Sequence, residues 1–118
     1  MSDRRYQLKR VYAPAAKADG LRVLVDRLWP RGIAKADAKI DLWLRDLSPS
    51  STLRKEFHAK PEKWPAFVKA YAKELEDAAA QAALAELRAA KTRVVTLLYA
   101  AKDEEKNNAV ALKAWLEA

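Results

Sequence analysis

The chain has 118 residues, no cysteine and a formal net charge of +7, from 23 Lys and Arg against 16 Asp and Glu. This length predicts one domain over residues 1–118, and the lack of cysteine excludes disulfides, thiol catalysis and thiolate metal sites. No apolar run is long enough to span a membrane, and residues 1–10 are polar and basic, unlike a signal peptide. We expect a cytoplasmic protein without a membrane partner, whose basic charge either attracts anionic partners or serves solubility.

Two strands and one ambiguous segment are predicted in the first half of the chain. Residues 6–12 alternate polar and apolar side chains, which is typical of a half-buried strand. Residues 21–28 have a near-continuous apolar centre, as strands of parallel sheets have when both faces are covered. Residues 33–39 form a short helix or an irregular crossover. Residues 40–47 fit helical and strand periodicity equally, and we favour a short strand, the third in a βαβ series.

Helices dominate the second half. Ser48 followed by Pro49 is a helix start, and a second helix opens at Pro61. Apolar residues then recur at helical spacing up to Leu75. Residues 77–90 are Ala-rich and predict a third helix.

A strand and a helix complete the predicted fold. Residues 93–100 are β-branched and apolar, which indicates a strand. The last helix runs to the C-terminus, with Asp103 as its predicted N-cap. The order of elements predicts a single three-layer α/β domain, in which helices flank a small, mostly parallel sheet.

The stretch 23–32 (VLVDRLWPRG) is the strongest candidate for a functional site, because a buried strand ends there in charged and aromatic residues. In open α/β sheets, ligands bind outside the carboxyl ends of the strands. Residues that follow three predicted strands should therefore meet at one edge, and they include Tyr12, Asp26, Arg27, Trp29, Arg31, Tyr99, Lys102, Asp103, Asn107 and Asn108.

These residue types suit an anion pocket. Arginine binds phosphate or carboxylate through two points, a helix N-terminus offers N–H donors, and Trp or Tyr can stack on a ring. The predicted ligand-binding residues are Arg27, Trp29, Arg31, Tyr99 and Asn107. The candidate catalytic residues are Asp26, Asp103 and Tyr99. The acidic residues beginning at Asp103 would oppose an anion at that helix.

Several of these residues also have a purely structural explanation. Asp26 and Arg27 fit a buried ion pair, and Trp29 fits core packing. Asn107 and Asn108 are poor helix formers, so either the last helix begins late or their amides form hydrogen bonds that offset the cost.

No known motif decides between ligand classes. His58, the only histidine, lies between two predicted helices, where a capping or solvated role fits better than catalysis. The chain has no HExxH, GxGxxG, P-loop or nucleophile-elbow pattern. We therefore predict no metal and no cofactor, and the sequence leaves open whether the protein is an enzyme.

Long motifs over nearly the whole chain resemble the YeaO-like family of small bacterial proteins, within a larger domain family of unknown function. They include LKRVY at 8–12, RVLVDRLWPRG at 22–32, WLRDLSPS at 43–50 and TLLYAAKD at 96–103. The resemblance implies a single α/β domain and no established activity or cofactor. Its motifs also cover Arg10 and Asp46, which adds Arg10 to the predicted ligand-binding residues. The family often has a histidine where this chain has Lys106.

Three functions remain open. The first is binding of a nucleotide or a phosphorylated or carboxylated metabolite, with or without catalysis, with Arg27 and Arg31 holding the anion. The second is a nucleic-acid-binding module, suggested by the net charge and by the basic residues within 4–10. The third is a protein-interaction domain, which predicts an exposed apolar patch and no deep pocket.

Overall fold

The computed structural model describes residues 4–118, in which four strands form one parallel sheet. The strands are β1 (Arg5–Arg10), β2 (Leu21–Leu24), β3 (Leu42–Trp43) and β4 (Val94–Tyr99). Their order is β1-β4-β2-β3, so the last strand in the chain lies in the middle of the sheet. The predicted α/β class with a parallel sheet is confirmed. The ambiguous segment 40–47 contains the short strand β3, followed by a 3-10 turn over Arg45–Leu47.

Five α-helices surround this sheet. They are α1 (Lys35–Ala38), α2 (Ser51–Ala59), α3 (Trp64–Glu74), α4 (Ala78–Ala89) and α5 (Asn108–Glu117). Asp77 caps α4 by accepting a hydrogen bond from the Ala80 amide. The predicted helix start at Ser48 is wrong by two residues, since Ser50 is the residue that caps α2, through the Leu53 amide. Within residues 4–118, no helix has the length and apolar character needed to cross a membrane.

The predicted N-cap at Asp103 is also wrong. Its carboxylate accepts hydrogen bonds from the Glu105 and Lys106 amides and so closes a turn before the helix. The helix α5 begins only at Asn108, because the Asn107 side chain accepts the Val110 amide. Both explanations of the asparagine pair therefore hold: the helix begins late, and both side chains form hydrogen bonds.

Two hydrophobic clusters of unequal size lie on the two faces of the sheet. The larger one joins side chains of β2 and β4 to helices α2 to α5. The smaller one is built on Val11, Leu24 and Leu98, with Trp29 and Trp43 packed against it. Neighbouring residues of a strand point to opposite faces, so β2 and β4 contribute to both clusters. The sheet is therefore the middle of three layers, with the thicker helical layer on one side.

A buried polar cluster supports the thinner layer. Asp19 accepts hydrogen bonds from Lys9 Nζ at 2.7 Å, from an Arg22 guanidinium nitrogen at 2.5 Å and from the Ala16 amide at 2.9 Å. Arg22 also donates to the carbonyls of Ala38 and Lys39. Because every donor has an acceptor, the cluster links β1, β2 and the segment around α1 without leaving an unpaired buried charge.

Candidate functional site

The sheet register brings three strand ends to one edge. Arg10 pairs with Tyr99 and Leu24 pairs with Leu98, so β1, β2 and β4 end close together. The segments that follow these strands, together with α2, enclose a cavity of about 650 Å³. A cavity of this size lies within the range of small-molecule sites.

Three walls form this cavity. The first is the loop 26–31 after β2, and the second is the segment 100–108, which follows β4 and enters α5. The third is one face of α2, where Arg54, Phe57 and His58 lie three and four residues apart and so project on the same side. His58 therefore belongs to the last turn of α2, which corrects its predicted position between helices.

Most of the predicted site residues surround this one space. The cavity is lined by Tyr12, Asp26, Arg27, Trp29, Arg31, Lys102, Asp103, Asn107 and Asn108. Two of the predicted ligand-binding residues, Arg10 and Tyr99, are not part of its lining.

Arg10 and Tyr99 have internal partners instead. The Arg10 guanidinium donates to the carbonyls of Ala101 and Ala100 and so holds the segment after β4 against β1. Tyr99 is 2% exposed in the larger core cluster, where its hydroxyl lies near the Asn107 side chain. Burial raises the pKa of Tyr99, which disfavours a role as a proton donor or acceptor.

Asp26 is the partly buried acidic group of the site. Its Oδ2 accepts the Ala100 amide at 2.8 Å, and its Oδ1 accepts the Asn108 side-chain amide at 3.0 Å. The expected ion pair with Arg27 is not formed; Arg27 Nε instead approaches the Pro49 carbonyl at 3.5 Å. Asp26 thus ties the end of β2 to the end of β4 and to the start of α5.

Burial raises the pKa of Asp26 above its ordinary value of 3.8. Hydrogen bonds from Ala100 and Asn108 and the charge of Arg54 act in the opposite direction, but do not cancel the effect of burial. Asp103 differs, since the Glu105 and Lys106 amides lower the pKa of this exposed carboxyl. Asp103 therefore stays ionised and serves as a turn cap.

Positive charge dominates the cavity lining. Five basic side chains line it, and they are Arg27, Arg31, Arg54, Lys102 and Lys106. Within residues 4–118, none of the five forms an ion pair. Among the described residues, the carboxylates of the lining are Asp26 and Asp103, and both already accept hydrogen bonds from the protein. The cavity therefore carries an excess of cations available to a ligand.

Apolar side chains form much of the remaining lining. They are Leu28, Trp29, Pro30, Pro49, Phe57, Pro61 and Phe67, together with two alanines. Trp29 has two roles, because it contacts Trp43 edge-on at 5.4 Å and donates from Nε1 to the Ile33 carbonyl while also facing the cavity. The packing explanation for Trp29 thus holds alongside its place in the site.

Sequence reasoning missed the contribution of α2. Arg54 and Phe57 are spaced as neighbours on a helix face, but this spacing does not tell where the helix packs. The sequence of α2 by itself contains no signal of this packing. In the sequence, Lys106 differs from the family pattern but is not predicted as a site residue. In the structure it lines the cavity.

The residues of the site suit binding better than metal chemistry. Among residues 4–118, no group of three or more His, Asp or Glu side chains lies close enough to hold a metal ion. The two serines nearest the cavity are engaged locally, since Ser48 Oγ donates to the Arg45 carbonyl and Ser50 Oγ donates to Glu74.

Comparison with known proteins identifies the family of the chain. A family model described as "Inactive DUF488-N3 subclade" matches residues 5–118. This chain belongs to that family. It is 45% identical over 111 residues to "Uncharacterized protein YeaO" of Escherichia coli K12, a match that covers 93% of this chain and 95% of that protein. The resemblance to YeaO-like proteins is therefore confirmed.

Mycobacterial relatives extend the family. Proteins of Mycobacterium bovis and of Mycobacterium tuberculosis H37Rv are each 42% identical over 109 residues, which is 92% of this chain and 90% of theirs. Their names, like that of the Escherichia coli protein, state no function. No solved structure matches the chain significantly.

Proposed function

We propose that this protein binds a small organic anion, a phosphorylated or carboxylated metabolite, in the cavity at the carboxyl ends of its strands. The observation that carries the proposal is the imbalance of charge in the lining, with five cations against two carboxylates. The guanidinium groups of Arg27, Arg31 and Arg54 could each contribute two parallel hydrogen bonds to a phosphate or carboxylate.

Binding without catalysis is the form of this function that we favour. A catalytic nucleophile needs a base within hydrogen-bond reach, and no such pair is found among the described residues that line the cavity. Asp26, the remaining acid–base candidate, already uses both carboxylate oxygens as acceptors. The description of the matching family as inactive supports the same view.

The nucleic-acid hypothesis loses support from the N-terminal basic cluster. Lys9 pairs with Asp19, and Arg10 donates to two backbone carbonyls. Arg4 donates to the carbonyls of Leu87, Ala90 and Thr92. These three side chains hold the fold together, which leaves Arg5 as the exposed basic residue among 4–10 and so no extended phosphate-binding surface there.

Replacement of Arg54 by glutamine tests the proposal. Binding of ADP, ribose 5-phosphate and citrate would be measured by isothermal titration, with the shift in Tm as a second readout. We expect at least one of these anions to bind the wild type. The Kd should rise at least about tenfold in Arg54→Gln, since a charge-assisted hydrogen bond is worth about 1.5–3 kcal/mol.

Lys55→Gln is the matched control. It removes one positive charge from the neighbouring position of α2, where the side chain is exposed and outside the cavity lining. Its Kd should stay within about twofold of the wild type, because solvent screens an exposed charge. If no anion binds, or if both variants weaken binding equally, the cavity is not an anion site. Tighter binding of duplex or single-stranded DNA than of any small anion would favour the nucleic-acid hypothesis instead.

A further inference from the structure

We infer that the ligand of this cavity is a nucleotide, whose planar base lies against the apolar wall and whose phosphate groups lie against the basic side chains. This inference rests on the proposed function and narrows it to one class of ligand. It depends on the way in which the lining combines charge with aromatic and aliphatic surface.

Apolar exposure in this protein is concentrated at the cavity. Among the described residues, the large hydrophobic side chains that are exposed are Tyr12 (44%) and Leu28 (68%). Both line the cavity. Exposed apolar side chains that are clustered around one cavity indicate contact with an apolar part of a ligand, because they gain free energy when water leaves them.

Basic and aromatic side chains lie next to one another in two walls of the cavity. On α2, Arg54 lies one helical turn from Phe57 and His58. In the loop after β2, Trp29 lies between Arg27 and Arg31 in the sequence, and all three side chains line the cavity. A ligand in this cavity would therefore contact a basic side chain and an aromatic side chain both from α2 and from the loop after β2.

Simpler ligands leave part of this lining unused. Inorganic phosphate or citrate would leave the apolar wall in water, and each fills only a small part of about 650 Å³. An uncharged aromatic compound would leave the five cations without a partner. A nucleotide would contact both the apolar wall and the basic side chains. Its base stacks on apolar and aromatic side chains, and its phosphates accept hydrogen bonds from Arg and Lys.

A ligand series separates the contributions of base and phosphate. Isothermal titration would compare ADP, GDP, CDP and UDP with adenosine, which lacks phosphate, and with ribose 5-phosphate, which lacks a base. We expect at least one nucleoside diphosphate to bind about tenfold or more tightly than either fragment, because only the whole nucleotide engages both parts of the lining.

Two variants test the apolar wall. Leu28→Ser changes an exposed side chain, so the fold should be retained, and it should weaken nucleotide binding about threefold. Phe57→Leu should weaken it about tenfold through loss of ring contact. Neither variant should change the Kd for ribose 5-phosphate by more than about twofold.

Trp64→Leu is the control for Phe57→Leu. The Trp64 ring packs against Phe57 and Phe67, with 5.5 Å between centroids in both cases, but it does not line the cavity. It should therefore lower stability while leaving nucleotide affinity unchanged. Equal loss of affinity in the Phe57 and Trp64 variants would overturn the assignment of the base to this wall.

The results distinguish this inference from the proposed function. If ribose 5-phosphate binds as tightly as the nucleotides and Arg54→Gln weakens both, the nucleotide inference is wrong and the anion site stands. If no anion binds, both fail. If oligonucleotides bind more tightly than every mononucleotide, a free nucleotide is not the ligand and the inference is overturned.

Discussion

Asp19 and Asp26 flank β2, and their surroundings shift the two carboxyl pKa values in opposite directions. Burial by itself raises the pKa of both groups. At Asp19, hydrogen bonds from Lys9, the Ala16 amide and Arg22 outweigh burial, so the pKa of Asp19 lies below 3.8. At Asp26 the effect of burial is larger than that of its partners, so the pKa lies above 3.8.

The raised pKa of Asp26 predicts a loss of stability with rising pH. In the window above about pH 4, the folded state holds the Asp26 proton more tightly than the unfolded state does. The free energy of unfolding therefore falls as pH rises through this window. Asp26→Asn should cost about 1 kcal/mol near pH 4, through one lost hydrogen bond, and this cost should shrink towards pH 7. Urea denaturation at several pH values measures it.

Asp19→Asn provides the opposite case. The stability that Asp19 contributes is present above about pH 4 and is lost as pH falls towards its lowered pKa. The cost of Asp19→Asn should therefore grow as pH rises towards about 5, whereas that of Asp26→Asn should shrink as pH rises above about 4. A cost of Asp26→Asn that increases with pH would contradict the assigned direction of its pKa.

At the scale of elements, the turn before β2 determines how closely this strand approaches β4. Gly20 has a φ of 63°, and a Cβ added there would lie 2.8 Å from Val94 Cβ and would also strike the Val94 carbonyl oxygen. Gly32 has a φ of 78°, but a Cβ added there would meet nothing within 4 Å. Both glycines adopt a positive φ, but only Gly20 also lies against a neighbouring strand.

Alanine at the two glycines should therefore have unequal effects. Gly32→Ala should cost about 1–2 kcal/mol, the strain of a left-handed conformation in a residue with a Cβ. Gly20→Ala should cost more than about 3 kcal/mol, because the clash with Val94 adds to that strain. Urea denaturation measures both. Equal losses in the free energy of unfolding would mean that contact with β4 is not what restricts position 20 to glycine.

At the scale of the whole molecule, the sheet couples the two hydrophobic clusters. Trp29 and Trp43 pack against the smaller cluster, whereas Trp64 and Trp115 pack against the larger one. Since β2 and β4 contribute side chains to both faces, neither layer can lose its packing while the other keeps an intact sheet. We expect one cooperative unfolding transition.

Two double tryptophan variants report separately on unfolding at the two faces of the sheet. Trp64→Phe with Trp115→Phe leaves fluorescence from the smaller cluster, and Trp29→Phe with Trp43→Phe leaves fluorescence from the larger one. In each variant, the urea midpoint from fluorescence should coincide with the midpoint from far-UV circular dichroism, with a slope of about 1–3 kcal/mol/M. A fluorescence midpoint that precedes the circular dichroism midpoint in one variant would show that its face unfolds first.

The sequence by itself predicted most element types and the edge of the sheet at which the cavity lies. Strand periodicity, the Ala-rich stretch 77–90 and the polar residues after each strand are local features, and they can be recognised without knowledge of the fold. The sequence predicted helix starts less accurately, because two possible N-cap residues lie within a few positions of each other. These pairs are Ser48 and Ser50 before α2, and Asp103 and Asn107 before α5. Which one caps the helix depends on the packing of the helix that follows.

Only the tertiary structure decided which side chains reach the cavity. Tyr99 follows the strand-end pattern and Arg10 belongs to the family motifs, but burial of Tyr99 in the core and the hydrogen bonds of Arg10 to backbone carbonyls remove both from the lining. Arg54 lines the cavity from α2, and the sequence of this helix does not predict that it packs there. The physical reason is that strand order and helix packing bring together residues distant in the chain, and a local pattern contains no information about that juxtaposition.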